Sequence, residues 1–189
     1  MKKVLCCMCS LFILLFFSSC VTQVNNQSDS ISKIIIPNSL IQYSGDKQDE
    51  FIESFPSDLY TDIKAEGEYV VVSMTESQRQ KNIKQTEQFI DDFLEDYYND
   101  NSEYKFCGSD DYKKAEFYYD EKLPLSGEGA AIIGVVGEYG LMQLLTDNSG
   151  DWNVEVKVYN CHTGKLVAEA TVPHDHLRWT SEDWAKSYE

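Results

Sequence analysis

Trp152 to Val172 reads WNVEVKVYNCHTGKLVAEATV, two alternating runs folded about a turn. Val154, Val156 and Val158 alternate with Glu155, Lys157 and Tyr159, the period-two pattern of a strand with one buried face. Leu166, Ala168, Ala170 and Val172 repeat the pattern on the return. Asn160-Cys161-His162-Thr163-Gly164 supplies turn chemistry between them, so 152–172 is expected to be one β-hairpin. Thr180, three residues before Asp183, can cap a short terminal helix carrying Trp184.

Upstream of the hairpin, Ala130-Ala131-Ile132-Ile133-Gly134-Val135-Val136 is a small-to-branched apolar run that predicts a strand covered on both faces. A polar turn follows at Asp147-Asn148-Ser149-Gly150. Residues 76–98 predict a helix, with Ile83, Phe89, Ile90, Phe93, Leu94 and Tyr97 on one side and acidic groups on the other. Tyr69-Val70-Val71-Val72 has the β-branching of an interior strand, and Ile34-Ile35-Ile36, ended by Pro37, predicts another. Phe51, Phe55, Leu59 and Ile63 recur every four residues and predict a helix between these strands, with Pro56 a kink or late start and Gly67 its stop. Residues 99–129 leave short strands, a short helix or an ordered loop open. The expected fold is α+β, an α/β sandwich with one mixed β-sheet of about five strands, helices packed on it and the late hairpin.

The amino terminus carries an export pattern. Lys2 and Lys3 precede an apolar run from Val4 to Phe17, which ends at Phe17-Ser18-Ser19-Cys20. This run of fourteen residues falls short of the roughly 20 a bilayer span needs. The ending resembles a bacterial lipobox, in which the cysteine receives a diacylglyceryl thioether and becomes the new amino terminus. Residues 1–19 are thus expected to be a lipoprotein signal peptide, 20–33 a lipidated Cys20 with a flexible polar tether, and 34–189 a single domain.

Cleavage before Cys20 leaves 170 of the 189 residues, and losing two lysines takes the formal charge from −16 to −18. That charge repels phosphate backbones, so no nucleic-acid partner is expected. Cys6, Cys7 and Cys9 leave with the signal, which leaves Cys107 and Cys161 for disulfide chemistry. Their pairing is expected outside the cytosol, although spacing alone does not bring their Cα atoms within bonding range.

Chemistry-bearing motifs are sparse. His162 at the hairpin tip and His174 beyond its open end are separated by about ten strand residues, or about 30 Å, so all three histidines cannot share one ion. His174 and His176 alone make two ligands, and no metal or cofactor is expected. Asp147 to Asp151 starts like a calcium loop, but the glycine is misplaced and Val158 stands where the closing carboxylate belongs. Asp91 with Glu95 and Asp92 with Asp96 sit one helical turn apart on a face expected to meet water. Gly127, Gly129, Gly134, Gly137 and Gly140 form neither GxGxxG nor a phosphate loop and are read as permitting tight turns and close packing. There is no GxSxG elbow, and Cys161 and His162, as adjacent strand residues, would face opposite ways. No catalytic residue and no enzyme activity are expected. Tyr97, Tyr104, Tyr112, Tyr118 and Tyr119, set among polar groups, form the candidate partner interface, with core filling as the alternative.

Several segments together resemble the curli-secretion (CsgG-like) lipoprotein family, with related domains in lipoprotein activators of penicillin-binding proteins and in the amino-terminal domain of the Tol propeller protein. SDLYTDIKAEGEYVVVS resembles that family's first helix and second strand, and TESQRQKNIKQTEQFIDDF the helix after them. GAAIIGVVGEYG is similar to its alanine-rich strand running into glycine, and VEVKVYNCHTGKLVAEA to its late hairpin. The resemblance covers much of residues 50–172 and implies binding and assembly rather than catalysis. Channel-forming members insert amphipathic membrane hairpins, and no such pair of alternating segments occurs here. The expected function is that of a bacterial envelope lipoprotein acting by non-covalent protein binding, as an adaptor or activator of an envelope assembly. The alternative is an oligomeric component of a secretion or channel assembly. Expected partners are the membrane, through lipid on Cys20, and an envelope protein, with a homo-oligomer in the alternative. The expected location is the outer membrane facing the periplasm, ahead of the inner membrane or the cell surface.

Overall fold

The computed structural model describes residues 30–98, 103–120, 128–147 and 149–189. The signal segment, Cys20 and most of the tether lie outside them. The first strand, β1 (Ile31–Pro37), begins at Ile31 rather than at Ile34. It is followed by α1 (Asn38–Tyr43), α2 (Gln48–Ser54), β2 (Asp62–Glu66), β3 (Tyr69–Thr75) and α3 (Glu76–Tyr98). The second half holds β4 (Lys105–Gly108), β5 (Lys114–Tyr119), α4 (Glu128–Asp147), β6 (Val154–Asn160), β7 (Leu166–Val172) and α5 (Ser181–Ser187). The fold is α+β.

Its strands divide between two sheets rather than joining one of about five. The first is antiparallel, in the order β1-β3-β2; the second is mixed, in the order β4-β5-β6-β7. β3 is central in the first sheet, and its β-branched run has Val70, Val72 and Met74 wholly buried. Ile34 and Ile36 of β1 pair with Val72 and Val70 and point into the same core. Gly67 closes the β2–β3 hairpin at φ +64°, the left-handed conformation that a two-residue hairpin loop favours in its first residue.

Two expectations are corrected here. The helix expected through Phe51, Phe55, Leu59 and Ile63 stops after Ser54. Phe55 precedes Pro56 and is extended (φ −67°, ψ 126°), as proline sterics demand of the residue before it. Leu59 then lies buried in a turn and Ile63 belongs to β2. The strand expected at Ala130–Val136 is instead part of α4. A helix enclosed on most sides carries apolar residues all round, so its sequence has no alternation to separate it from an interior strand. Topology accounts for its place: β5 and β6 are parallel, and a parallel pair needs a crossover long enough to hold a helix.

Helix α4 touches β1 of one sheet, β6 of the other, and helices α1 and α3. Its glycines permit these approaches. A Cβ at Gly140 would come within 2.6 Å of the Trp152 ring and 2.8 Å of Leu40, while one at Gly134 would lie 3.9 Å from Phe93. Buried Gln143 ties the helix to its surroundings: its amide donates to the carbonyls of Tyr112 (2.7 Å) and Asn153 (2.8 Å) and accepts from the Asn153 N–H (3.2 Å). Arg79 of α3 pairs with Glu76 and donates to the Leu145 carbonyl in the last turn of α4, at 2.6 Å. Trp152 donates from its indole to Ser39 Oγ at 3.1 Å. The helix α5 has the expected cap, with Thr180 Oγ1 accepting from the Asp183 N–H.

Candidate binding surface

A groove of about 580 Å³ lies between α1, the start of α4 and the connector that follows β7. Tyr43, Ile133, Pro173, Leu177, Arg178 and Trp179 contribute to its walls. Each arrives there for a local reason. Ile133 of α4 is 45% exposed, large for an aliphatic side chain. The connector cannot extend β7, because Pro173 lacks the N–H that a ladder requires. Leu177 and Trp179 then alternate with exposed His176 and Arg178, turning two apolar side chains inward and two cationic or polar ones outward. Burial raises the Tyr43 hydroxyl to a pKa of about 12, so it stays a neutral hydrogen-bonding group. Tryptophan, tyrosine and arginine around an aliphatic floor are the residue types that dominate binding energy at protein interfaces. The sequence reading passed over these residues; Leu177 and Trp179 in a segment bounded by Pro173 and the Thr180 cap were the signal for them.

The five tyrosines read as an interface separate in the structure. Tyr119 is fully buried, so for this residue the core-filling alternative holds. Tyr104 packs edge-on against it at 5.1 Å. Tyr112 packs edge-on against buried Tyr139 at 5.2 Å and donates to Glu87 at 3.3 Å. The Tyr97 side chain lies outside the described residues. Tyr104, Tyr112 and Tyr118 are half-buried; Tyr118 stands on the second sheet's outer face, stacked on Tyr159 at 4.9 Å with the Lys105 ammonium 4.0 Å over its ring. Alternation explains the split, since Ala115, Phe117 and Tyr119 face the core while Glu116 and Tyr118 face outward.

Cys107 and Cys161 are both free thiols. Cys107 pairs with Glu116, which pairs with Lys157, whereas Cys161 is hydrogen-bonded to Tyr119 at the far end of β5. Two strand spacings across and about four residues along separate them by about 15 Å, beyond the roughly 7 Å that a disulfide tolerates. The expected disulfide is therefore corrected to two separate thiols. His174 and His176 are exposed, as are Asp91, Asp92 and Glu95 on α3. Cys161 and His162 do not face opposite ways, because they belong to the turn after β6 rather than to a strand. Their ligand atoms and a carboxylate oxygen of Glu103 lie within 4.8 Å of one another.

Among the described residues no helix is long and apolar enough to cross a membrane. Compared with protein-family models, with curated proteins and with solved structures, the chain matches none.

Proposed function

We propose that this chain is an envelope lipoprotein, held to the membrane by lipid on Cys20, that acts by non-covalent protein binding as an adaptor or activator of an envelope assembly. The observation that carries the binding role is the groove of Tyr43, Ile133, Leu177, Arg178 and Trp179. Its apolar floor suits an aliphatic or aromatic side chain of a partner, and Arg178 at its rim suits a carboxylate beside that side chain. The Tyr118–Tyr159 stack on the sheet's outer face adds a second rigid aromatic surface. A lipid anchor raises the local concentration of such a module at the membrane, so modest contacts there suffice for occupancy. The export pattern ending at Cys20 supports the anchor, and the likeness of several segments to the curli-secretion family supports an assembly setting.

A photo-crosslinking side chain placed at Ile133 in cells tests this reading. The expected result is one discrete adduct with a different protein, weakened by Trp179→Ala in the same chain. The same probe at exposed Glu50 on α2 should not give that adduct. An adduct containing two copies of this chain would instead favour the oligomeric component of a secretion or channel assembly. No adduct from Ile133, or the same products from both positions, would overturn the groove as the binding site.

A further inference from the structure

We propose that the tip of the β6–β7 hairpin is a transition-metal site of the zinc class, with Cys161 Sγ, the His162 imidazole and the Glu103 carboxylate as its three protein ligands. All three ligand atoms lie within 4.8 Å of one another, and His162 Nδ1 is 3.3 Å from Glu103 Oε2. Tetrahedral zinc with bonds of about 2.0–2.3 Å needs ligand atoms about 3.3–3.7 Å apart. The remaining contraction is about 1 Å, within reach of small side-chain rotations, because Glu103 and His162 are exposed and Cys161 is half-buried.

The backbone that presents Cys161 and His162 is held from beneath. Asn160 is fully buried; its Oδ1 accepts from the His162 N–H at 2.9 Å and its Nδ2 donates to Ser187 Oγ at 2.8 Å. The Cys161 N–H donates to the Tyr119 carbonyl at 2.7 Å, fixing the thiol at the end of β5. Thr163 Oγ1 donates to the Ser187 carbonyl at 2.7 Å, and Tyr188 stacks beside the imidazole at 6.3 Å. The tip is thereby tied to α5, and the backbone of Cys161 and His162 need not reorganise when an ion arrives.

Thiolate with imidazole and carboxylate selects a borderline ion rather than calcium or magnesium, which prefer all-oxygen sets. Binding is written as loss of the thiol proton to solvent and formation of metal–sulfur, metal–nitrogen and metal–oxygen bonds, so affinity rises with pH. The fourth position is left for water.

The full chain, with Cys6, Cys7, Cys9 and Cys20 replaced by serine and kept in mild detergent, leaves Cys107 and Cys161 as its thiols. Titration with cobalt(II) alone should give one equivalent bound, a thiolate-to-cobalt charge-transfer band and the strong visible absorption of four-coordinate cobalt. Zinc should displace it. Cys161→Ser should abolish the charge-transfer band, and Glu103→Gln should weaken binding at least about 10-fold, the scale of outer-shell losses being a lower bound for a ligand. Cys107→Ser should change neither. The proposal is overturned if no thiolate band develops, or if the band survives Cys161→Ser and vanishes with Cys107→Ser. Should Cys161→Ser melt without cobalt at a different temperature from its parent, Glu103→Gln, at an exposed position, decides: unchanged affinity there refutes the site.

Discussion

Replacing Glu138 by glutamine should make the protein more stable, and by an amount that depends on pH. Glu138 lies on α4, largely enclosed, and burial raises its carboxyl from 4.5 to about 7. A carboxyl whose folded pKa exceeds its unfolded value binds protons more readily when folded. Its ionisation therefore costs nothing below pH 4.5, where both states are protonated, and the cost grows as pH rises through 7. At 1.36 kcal/mol per pKa unit, the penalty at pH 8 is about 3 kcal/mol, an upper value because the group is not wholly enclosed. Glutamine is close to isosteric and cannot ionise, so Glu138→Gln removes this penalty. Urea unfolding of both proteins at intervals from pH 4 to pH 8.5 gives the test. The difference in unfolding free energy should widen from pH 4.5 to 7 in favour of glutamine and level off near pH 8. Taking the difference cancels groups that titrate alike in both proteins, such as Glu76, held down at about 2 chiefly by its hydrogen bond from Arg79. A difference that stays flat across this window would refute the inference that Glu138 is held in a desolvated place.

Other substitutions probe the packing of the same helix. Gly140→Ala should destabilise by about 1–3 kcal/mol from overpacking against Trp152 and Leu40, less the ~1 kcal/mol that alanine returns in helix propensity. Gly134→Ala, with its nearest neighbour at an ordinary 3.9 Å, should gain up to ~1 kcal/mol, and thermal melts of the pair would show opposite signs. Gly108→Ala puts a Cβ on the Tyr139 hydroxyl, so the ring must move; a change in near-ultraviolet circular dichroism with retained far-ultraviolet signal is the expected signature. Gln143→Leu keeps the volume but strips three hydrogen bonds and leaves buried carbonyls behind, an expected loss of about 2–4 kcal/mol by chemical denaturation.

Elements governed by neighbours in sequence were legible before the structure. The alternation of Val154, Val156 and Val158 needs no distant information, and neither does the Thr180–Asp183 cap or the apolar stripe of α3. Ile132, Ile133, Val135 and Val136 were misread because their β-branching speaks for a strand while their environment, two sheets and two helices around one rod, makes a helix. The break at Phe55 was foreshadowed by Pro56, yet the four-residue spacing of Leu59 and Ile63 concealed it. At the surface, the tyrosines could be found but not sorted, because which of them faces inward depends on the register of β5. The meeting of Glu103 with Cys161 and His162 joins residues nearly 60 positions apart through a turn and a short strand, which no local pattern encodes. The groove was hidden for the same reason, being walled by α1, α4 and the connector together.

The hydrogen bond from Trp152 to Ser39 spans 113 positions of chain. A chain made from its amino terminus can complete β1, β2 and β3 before α4 exists. During that interval Val70, Val72 and Met74 present an apolar sheet face with nothing to cover it, and α1 has no tryptophan to rest on. The molecule is thus vulnerable until α4 arrives, and holding chaperones, or a slower synthesis, should bear more on its yield than on its final stability.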